Sequence, residues 1–214
     1  MYIAASMTAV NRRHAILKEV ADALQAASGR SITNIQGVIA ATTIASQEIV
    51  DEFGDSSGLM RALADMLAKS MLEPLDECTT EASFQQKLLA FADRVTDEHL
   101  ALQLRCLYRI ALTEVIRNTG TGMHFYKHGL GLVTAELARF FKGAQASGIV
   151  LEEDSRHLAS HFMALLRANL DLSGTWPPAA SKETPRPAKD VSRIIELFCV
   201  GIQSAGVKNA CAVL

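Results

Sequence analysis

Apolar residues recur every three to four positions along nearly the whole chain, and no stretch sustains a two-residue alternation. That period stacks side chains on one face of a helix and leaves no material for a sheet. Ala, Leu, Glu, Arg and Gln dominate the periodic stretches and are good helix formers. The expected fold is therefore all-α, a set of helices packed on one another. Of the 214 residues 49% are hydrophobic, enough for a sizeable core in one domain, or in one large and one small. A disordered chain, a collagen and a small disulfide scaffold are excluded.

The stops in the pattern divide it into nine helices. The first is expected over residues 8–27, with Ile16, Leu17, Val20, Ala21 and Leu24 on its apolar face and Ser28-Gly29 as its stop. A short helix over 34–41 has Thr33 or Asn34 as N-cap, and Thr42-Thr43 breaks it. Another short helix over 45–52 leads to Phe53-Gly54. Asp55 or Ser56 then caps a longer one to about residue 72, which Pro74 closes. Longer helices follow over 83–99, 100–118, 123–146, 152–172 and 190–204. Residues 173–189 form a loop holding Trp176 and four of the five prolines.

Chemistry-bearing motifs are sparse. Cys78, Cys106, Cys199 and Cys211 form no C-x-x-C pair, so neither a zinc site nor a redox motif is signalled. Few, scattered cysteines fit a reducing cytosol, and a cytoplasmic location is expected. Residues 1–10 lack the basic and apolar regions of a signal peptide. Charges interrupt every apolar run, so no membrane span is expected. Cys211-Ala212-Val213-Leu214 formally matches a prenylation box, but with only Lys208 basic nearby, residues 206–214 read as a frayed tail. His124 and His128, like His157 and His161, are four apart and could in principle make a metal site. Without a carboxylate–His–His signature they read as solvent-facing or pocket histidines, and no metal is expected. No phosphate-binding glycine loop, Gly-x-Ser-x-Gly elbow or nucleophile–base pair is present. Neither an enzyme nor a cofactor is expected.

The opening order of long helix, short helix, tight turn and short helix is a helix-turn-helix arrangement. Here the chain resembles the TetR family of transcriptional regulators, of the AcrR type. Leu17, Val20, Ala21, Leu24 and Gly29 match that family's first-helix core and stop glycine. Thr33-Asn34-Ile35 matches the opening of its second helix, Ile44 its turn, and Ile49 and Phe53 the Leu and Phe of its Leu-Tyr-x-x-Phe run. The spacing holds without a gap from Leu17 to Met60. Arg109 to Glu114, Phe125-Tyr126, Gly148 and Asp154 resemble the C-terminal domain, so the likeness covers roughly residues 12–205.

The resemblance implies a helix-turn-helix DNA-binding domain over 1–54 and a ligand-binding and dimerisation domain over 55–205. It implies a homodimeric repressor that binds a double-stranded DNA operator and is released by a small apolar effector. Thr33, Asn34, Ser46, Gln47 and Glu48 would meet DNA. Arg105, Tyr108, His124, Phe125, Phe162 and Leu166 are candidates for the effector pocket, and are equally read as ordinary core and surface residues. Leu158, Leu165, Ile195, Phe198 and Ile202 are candidates for the dimer interface, alongside intrachain packing.

The departures bear on DNA. Thr43 replaces the small residue usual in the turn, and Val50, Ser46 and Ser56 replace the tyrosine and lysines that commonly touch phosphates. Residues 31–60 contain no Lys or Arg but hold Glu48, Asp51, Glu52 and Asp55. Phosphate attraction needs cations, and a patch of four acids repels the backbone. Arg12, Arg13, Lys18, Arg30, Arg61 and Lys69 could flank the contact. Gln47 could read adenine, and Glu48 could accept from a cytosine amine. The alternative is a protein of the same fold that has lost DNA binding and serves as a protein- or ligand-binding module. That alternative gains if Glu48, Asp51 and Glu52 all face outward.

Overall fold

The computed structural model describes residues 2–27, 34–76, 80–116, 127–167 and 191–203. For 2–10, 98, 99, 101, 105, 108, 114–116 and 167 it describes the backbone alone. Among the described residues nine helices run in order: α1 (Tyr2–Ala26), α2 (Ile35–Ile39), α3 (Ser46–Phe53), α4 (Ser56–Leu72), α5 (Glu81–Thr96), α6 (Glu98–Ile116), α7 (Leu130–Ala146), α8 (Ser155–Arg167) and α9 (Val191–Ile202). The all-α expectation is borne out. Most ends move by a few residues, and each visible cap explains its own shift. Helix α1 begins six residues early because no Gly or Pro interrupts residues 2–10. Helix α5 starts at Glu81 because Thr80 caps it, its Oγ1 accepting from the Ser83 amide at 3.1 Å. Helix α8 starts at Ser155 because Asp154 accepts from the amides of Arg156 (2.8 Å) and His157 (3.3 Å). Those two amides hold the Asp154 carboxyl below its ordinary range.

The chain divides into two compact units. The first comprises Met1–Ala68 with Glu98–Leu130, the second Lys69–Asp97 with Gly131–Leu214. In the first, the apolar face of α1 (Ile16, Leu17, Val20, Ala21, Leu24) is buried, and α1 packs on α2 and α6. Cys106, Leu107 and Ile110 are the fully buried row of α6. Asp65 of α4 meets His128 Nδ1 at 3.2 Å.

The second unit is built around phenylalanine. Phe84 stacks on Phe140 with centroids 5.3 Å apart, Phe141 meets Phe162 edge-on at 6.1 Å, and Phe162 meets Phe198 at 4.8 Å. Phe91 completes the cluster, 6.3 Å from Phe162. Aromatic pairs in such offset and edge-on arrangements add roughly 0.5–1.5 kcal/mol beyond their burial. Lys87–Asp76 and Arg94–Glu73 ion pairs fasten α5 to the end of the preceding segment, but both are solvent-exposed on at least one side and contribute little. The unit is closed by a short antiparallel bridge, Val150 to Gln203, in which the Leu151 amide donates to the Ile202 carbonyl at 2.9 Å. Burial, with the nearby Glu81 carboxylate, pushes the Cys199 thiol up to about 12, so it packs as a small apolar group. Among the described residues no helix is long and apolar enough to cross a membrane.

Phe162 has no exposed surface and touches three other rings. Truncation to alanine is expected to cost about 3–5 kcal/mol. Urea denaturation followed by circular dichroism reads this as a lower midpoint.

Candidate nucleic-acid interface

Local hydrogen bonds shape the helix-turn-helix first. Asn34 is the N-cap of α2, its Oδ1 accepting from the Gly37 amide at 2.7 Å. Thr33 lies outside the described residues. The turn closes as the Ala41 and Thr42 amides donate to Val38 and Ile39 carbonyls, at 3.0 and 2.9 Å. The Thr42 hydroxyl donates to Ile39 as well. Ile44 is buried beneath the turn. Thr43 has a partner that explains why a hydroxyl residue stands there. Its amide and its hydroxyl both donate to Glu19 Oε1, at 2.7 and 2.8 Å. These two bonds hold the Glu19 carboxyl below its ordinary range.

The N-cap of helix α3 is Ala45, which has no side-chain oxygen to cap it. Glu48 supplies half a capping box, its Oε2 accepting from the Ala45 amide at 3.1 Å. Its other oxygen pairs with the Arg12 guanidinium. That pair, then the Ala45 amide, holds the Glu48 carboxyl below its ordinary range. Arg13 lies over the Phe53 ring, 4.5 Å from its centroid, and donates to the Glu52 carbonyl. A cation at the C-terminal end of α3 also complements that helix's dipole. Ile49 and Phe53 anchor α3 in the core. The α3–α4 turn is tight. Gly54 takes φ +81, and a Cβ on Gly58 would collide with the Phe53 carbonyl oxygen. Asp55 caps α4, its Oδ1 accepting from the Gly58 amide at 2.7 Å.

What remains outward on α3 is a row of Ser46, Gln47, Val50 and Asp51, all exposed. Gln47 Nε2 donates to Asp51 Oδ1 at 2.8 Å. Of the three acids singled out in the sequence, Asp51 is exposed, while Glu48 and Glu52 are half-buried. Both oxygens of Glu48 are engaged within the chain. Arg12 and Arg13 are likewise engaged, while Lys18 and Arg61 are exposed and Arg30 lies outside the described residues.

The remaining candidates scatter. Arg105 and Tyr108 sit on α6, with side chains outside the described set; His124 and Phe125 lie outside it altogether. Phe162 and Leu166 have no exposed surface. Leu158 and Ile195 are buried within the second unit, Phe198 and Ile202 half-buried, and Leu165 is 45% exposed. Leu197 and Val200 of α9, which the apolar period alone did not single out, are 59% and 57% exposed. His157 and His161 are exposed on α8 with ring centroids 6.4 Å apart. Among the described residues no three metal-ligating side chains come together.

An all-α chain whose N-terminal helices form a hydrogen-bonded helix-turn-helix falls in the class of helix-turn-helix regulators. Comparison narrows the class. Residues 86–200 match the TetR_C_7 family model, the C-terminal domain of AefR-like transcriptional repressors. That is more than half of the chain, and the protein belongs to the TetR family of transcriptional regulators. A solved structure from Mesorhizobium loti, of a protein assigned to the TetR-family transcriptional regulators, shares the fold. Its TM-score is 0.58 and its identity 18%, over 90% of this chain and 98% of that one. No curated protein matches the chain.

Two outcomes follow from this geometry. Gly58→Ala is expected to destabilise by about 1–3 kcal/mol, because helix backbone rather than a flexible side chain must move. Thermal unfolding measures it. Glu19 and Glu48 have lowered folded-state values, so their contribution is present above the ordinary glutamate range and fades as pH falls below about 4.3. The acid limb of a stability–pH profile should therefore be shallower in an E19Q/E48Q double variant.

Proposed function

We propose that this TetR-family protein binds operator DNA as a homodimer and represses transcription until a small apolar effector releases it. The observation that carries the reading is the fixed helix-turn-helix. Three side chains of α1 hold the turn and α3, which leaves one polar row of α3 outward. The second helix of such a motif enters the major groove, with its N-terminal residues at the base edges. Ser46 and Gln47 stand at that end, and Asn34 stands at the start of α2. Residues 1–54 would carry the DNA contact, and 55–205 the effector and the partner subunit.

The reading calls for a twofold dimer, since two such motifs must meet successive grooves. Leu165 on α8 with Leu197 and Val200 on α9 offers an apolar surface for an isologous contact. An effector bound in the 55–205 region would act by preferring one arrangement of the two motifs. The absence of any Lys or Arg in residues 31–60 favours a second reading, in which the fold persists as a protein- or ligand-binding module.

Fluorescence anisotropy with the DNA upstream of the protein's own gene tests the choice. The regulator reading expects saturable binding that weakens with salt, with a logarithmic slope of about 0.9 per phosphate engaged. A folded dimer that binds no DNA at low salt would establish the module instead. An L197E/V200E variant is expected to sediment as a monomer with unchanged helicity and at least about tenfold weaker DNA binding. A dimer that persists in this variant would place the interface elsewhere.

A further inference from the structure

The outward face of α3 has an unusual chemical character for a DNA reader. Guanine is most often read by Arg or Lys, which donate to its N7 and O6 acceptors. Residues 31–60 hold neither. Two arginines of α1 that reach α3 are engaged, Arg12 with Glu48 and Arg13 with the Phe53 ring and the Glu52 carbonyl. Glu48 has both oxygens occupied, so it acts as a strut between α1 and the start of α3.

The exposed row then contains one carboxylate, one amide, one hydroxyl and one branched apolar side chain. Asp51 can only accept. One of its oxygens takes the Gln47 amide, leaving the other for a donor. The major groove offers two kinds of base donor, the N4 amine of cytosine and the N6 amine of adenine. Val50, at 51% exposure, is the large apolar side chain on this face, one position from Asp51. The apolar feature of the groove is the thymine methyl.

We infer that α3 reads base amines and thymine methyls and makes no bidentate contact with guanine. Gln47 and Asp51 take the amines of adenine or cytosine, and Val50 covers a thymine methyl. This rests on the DNA-binding reading above and deepens it. It also predicts where affinity comes from. With no Lys or Arg in residues 31–60, α3 itself neutralises no phosphate, and its contribution comes from base contacts.

The test uses the full-length protein and DNA selected from a random duplex pool. Each thymine of the selected half-site is then replaced by uracil, which lacks only the methyl. Each guanine is replaced by 7-deazaguanine, which lacks only the N7 acceptor. At one position per half-site, uracil should weaken native binding about fourfold, the worth of one buried methyl. The same replacement should have no effect on V50A. The 7-deazaguanine series should stay within about twofold throughout. D51N, which can donate as well as accept, should relax the preference at one cytosine or adenine.

Loss of more than about fivefold with 7-deazaguanine, or indifference to uracil at every position, would overturn the inference while leaving DNA binding intact. A pool that yields no bound sequence would overturn the DNA-binding reading, and this inference with it. A V50A variant that loses binding to all sequences equally would show a structural role for Val50 and also overturn it.

Discussion

The helix-turn-helix depends on how α1 holds it. Arg12, Arg13 and Glu19 lie within two turns of one another and reach three separate points, the start of α3, its end, and the turn before it. None of these contacts is strong alone, since exposed ion pairs contribute about 0–1 kcal/mol each. The holding energy comes from beneath. Val20, Leu24, Val38, Ile44, Ile49 and Phe53 are buried, at roughly 1.5–3 kcal/mol for each large side chain. The polar contacts tie the start and the end of α3 to α1. A rotation of α3 that brought Val50 inward would break the Arg12–Glu48 pair and the Ala45 cap together.

That arrangement changes the meaning of the charge pattern. A stretch with four acids and no base looks hostile to a polyanion. In the folded unit Glu48 is neutralised by Arg12, and Asp55 is occupied as the cap of α4. The carboxylate that stands fully outward on α3 is Asp51. The Arg12–Glu48 pair that reduces the repulsion also engages one of the cations that could meet a phosphate. In the proposed DNA complex the repulsion and the attraction fall together, and base-edge chemistry gains weight relative to the backbone.

The second unit follows a different logic. Its core is a set of phenylalanines contributed by four helices, and α8 and α9 bury only one side of themselves in it. Leu158 and Phe162 point inward on α8, Ile195 and Cys199 inward on α9. A broad apolar stripe is therefore only partly buried. The residues facing the phenylalanines stabilise the unit, and Leu165, Leu197 and Val200 are left over.

The all-α class, the order of the described helices, and the helix-turn-helix were legible from the sequence. Each depends on local signals, such as a 3.6-residue period, an Asn or Asp cap, or a glycine after the last turn. The caps at Asn34 and Asp55 were among the candidates read directly from the residues. Which side of each amphipathic helix does what was not legible. Periodicity marks Leu158, Leu165 and Ile195 alike as apolar, and only packing separates the buried Leu158 and Ile195 from the exposed Leu165. Nor could spacing reveal that Glu48 meets Arg12, 36 residues away, or that Thr43 meets Glu19, 24 residues away. Such pairings are set by how α1 crosses the turn. The sequence determined that a helix-turn-helix would form. The tertiary structure decided which side chains that motif still has free to offer, because each long-range polar contact removes a group from the surface.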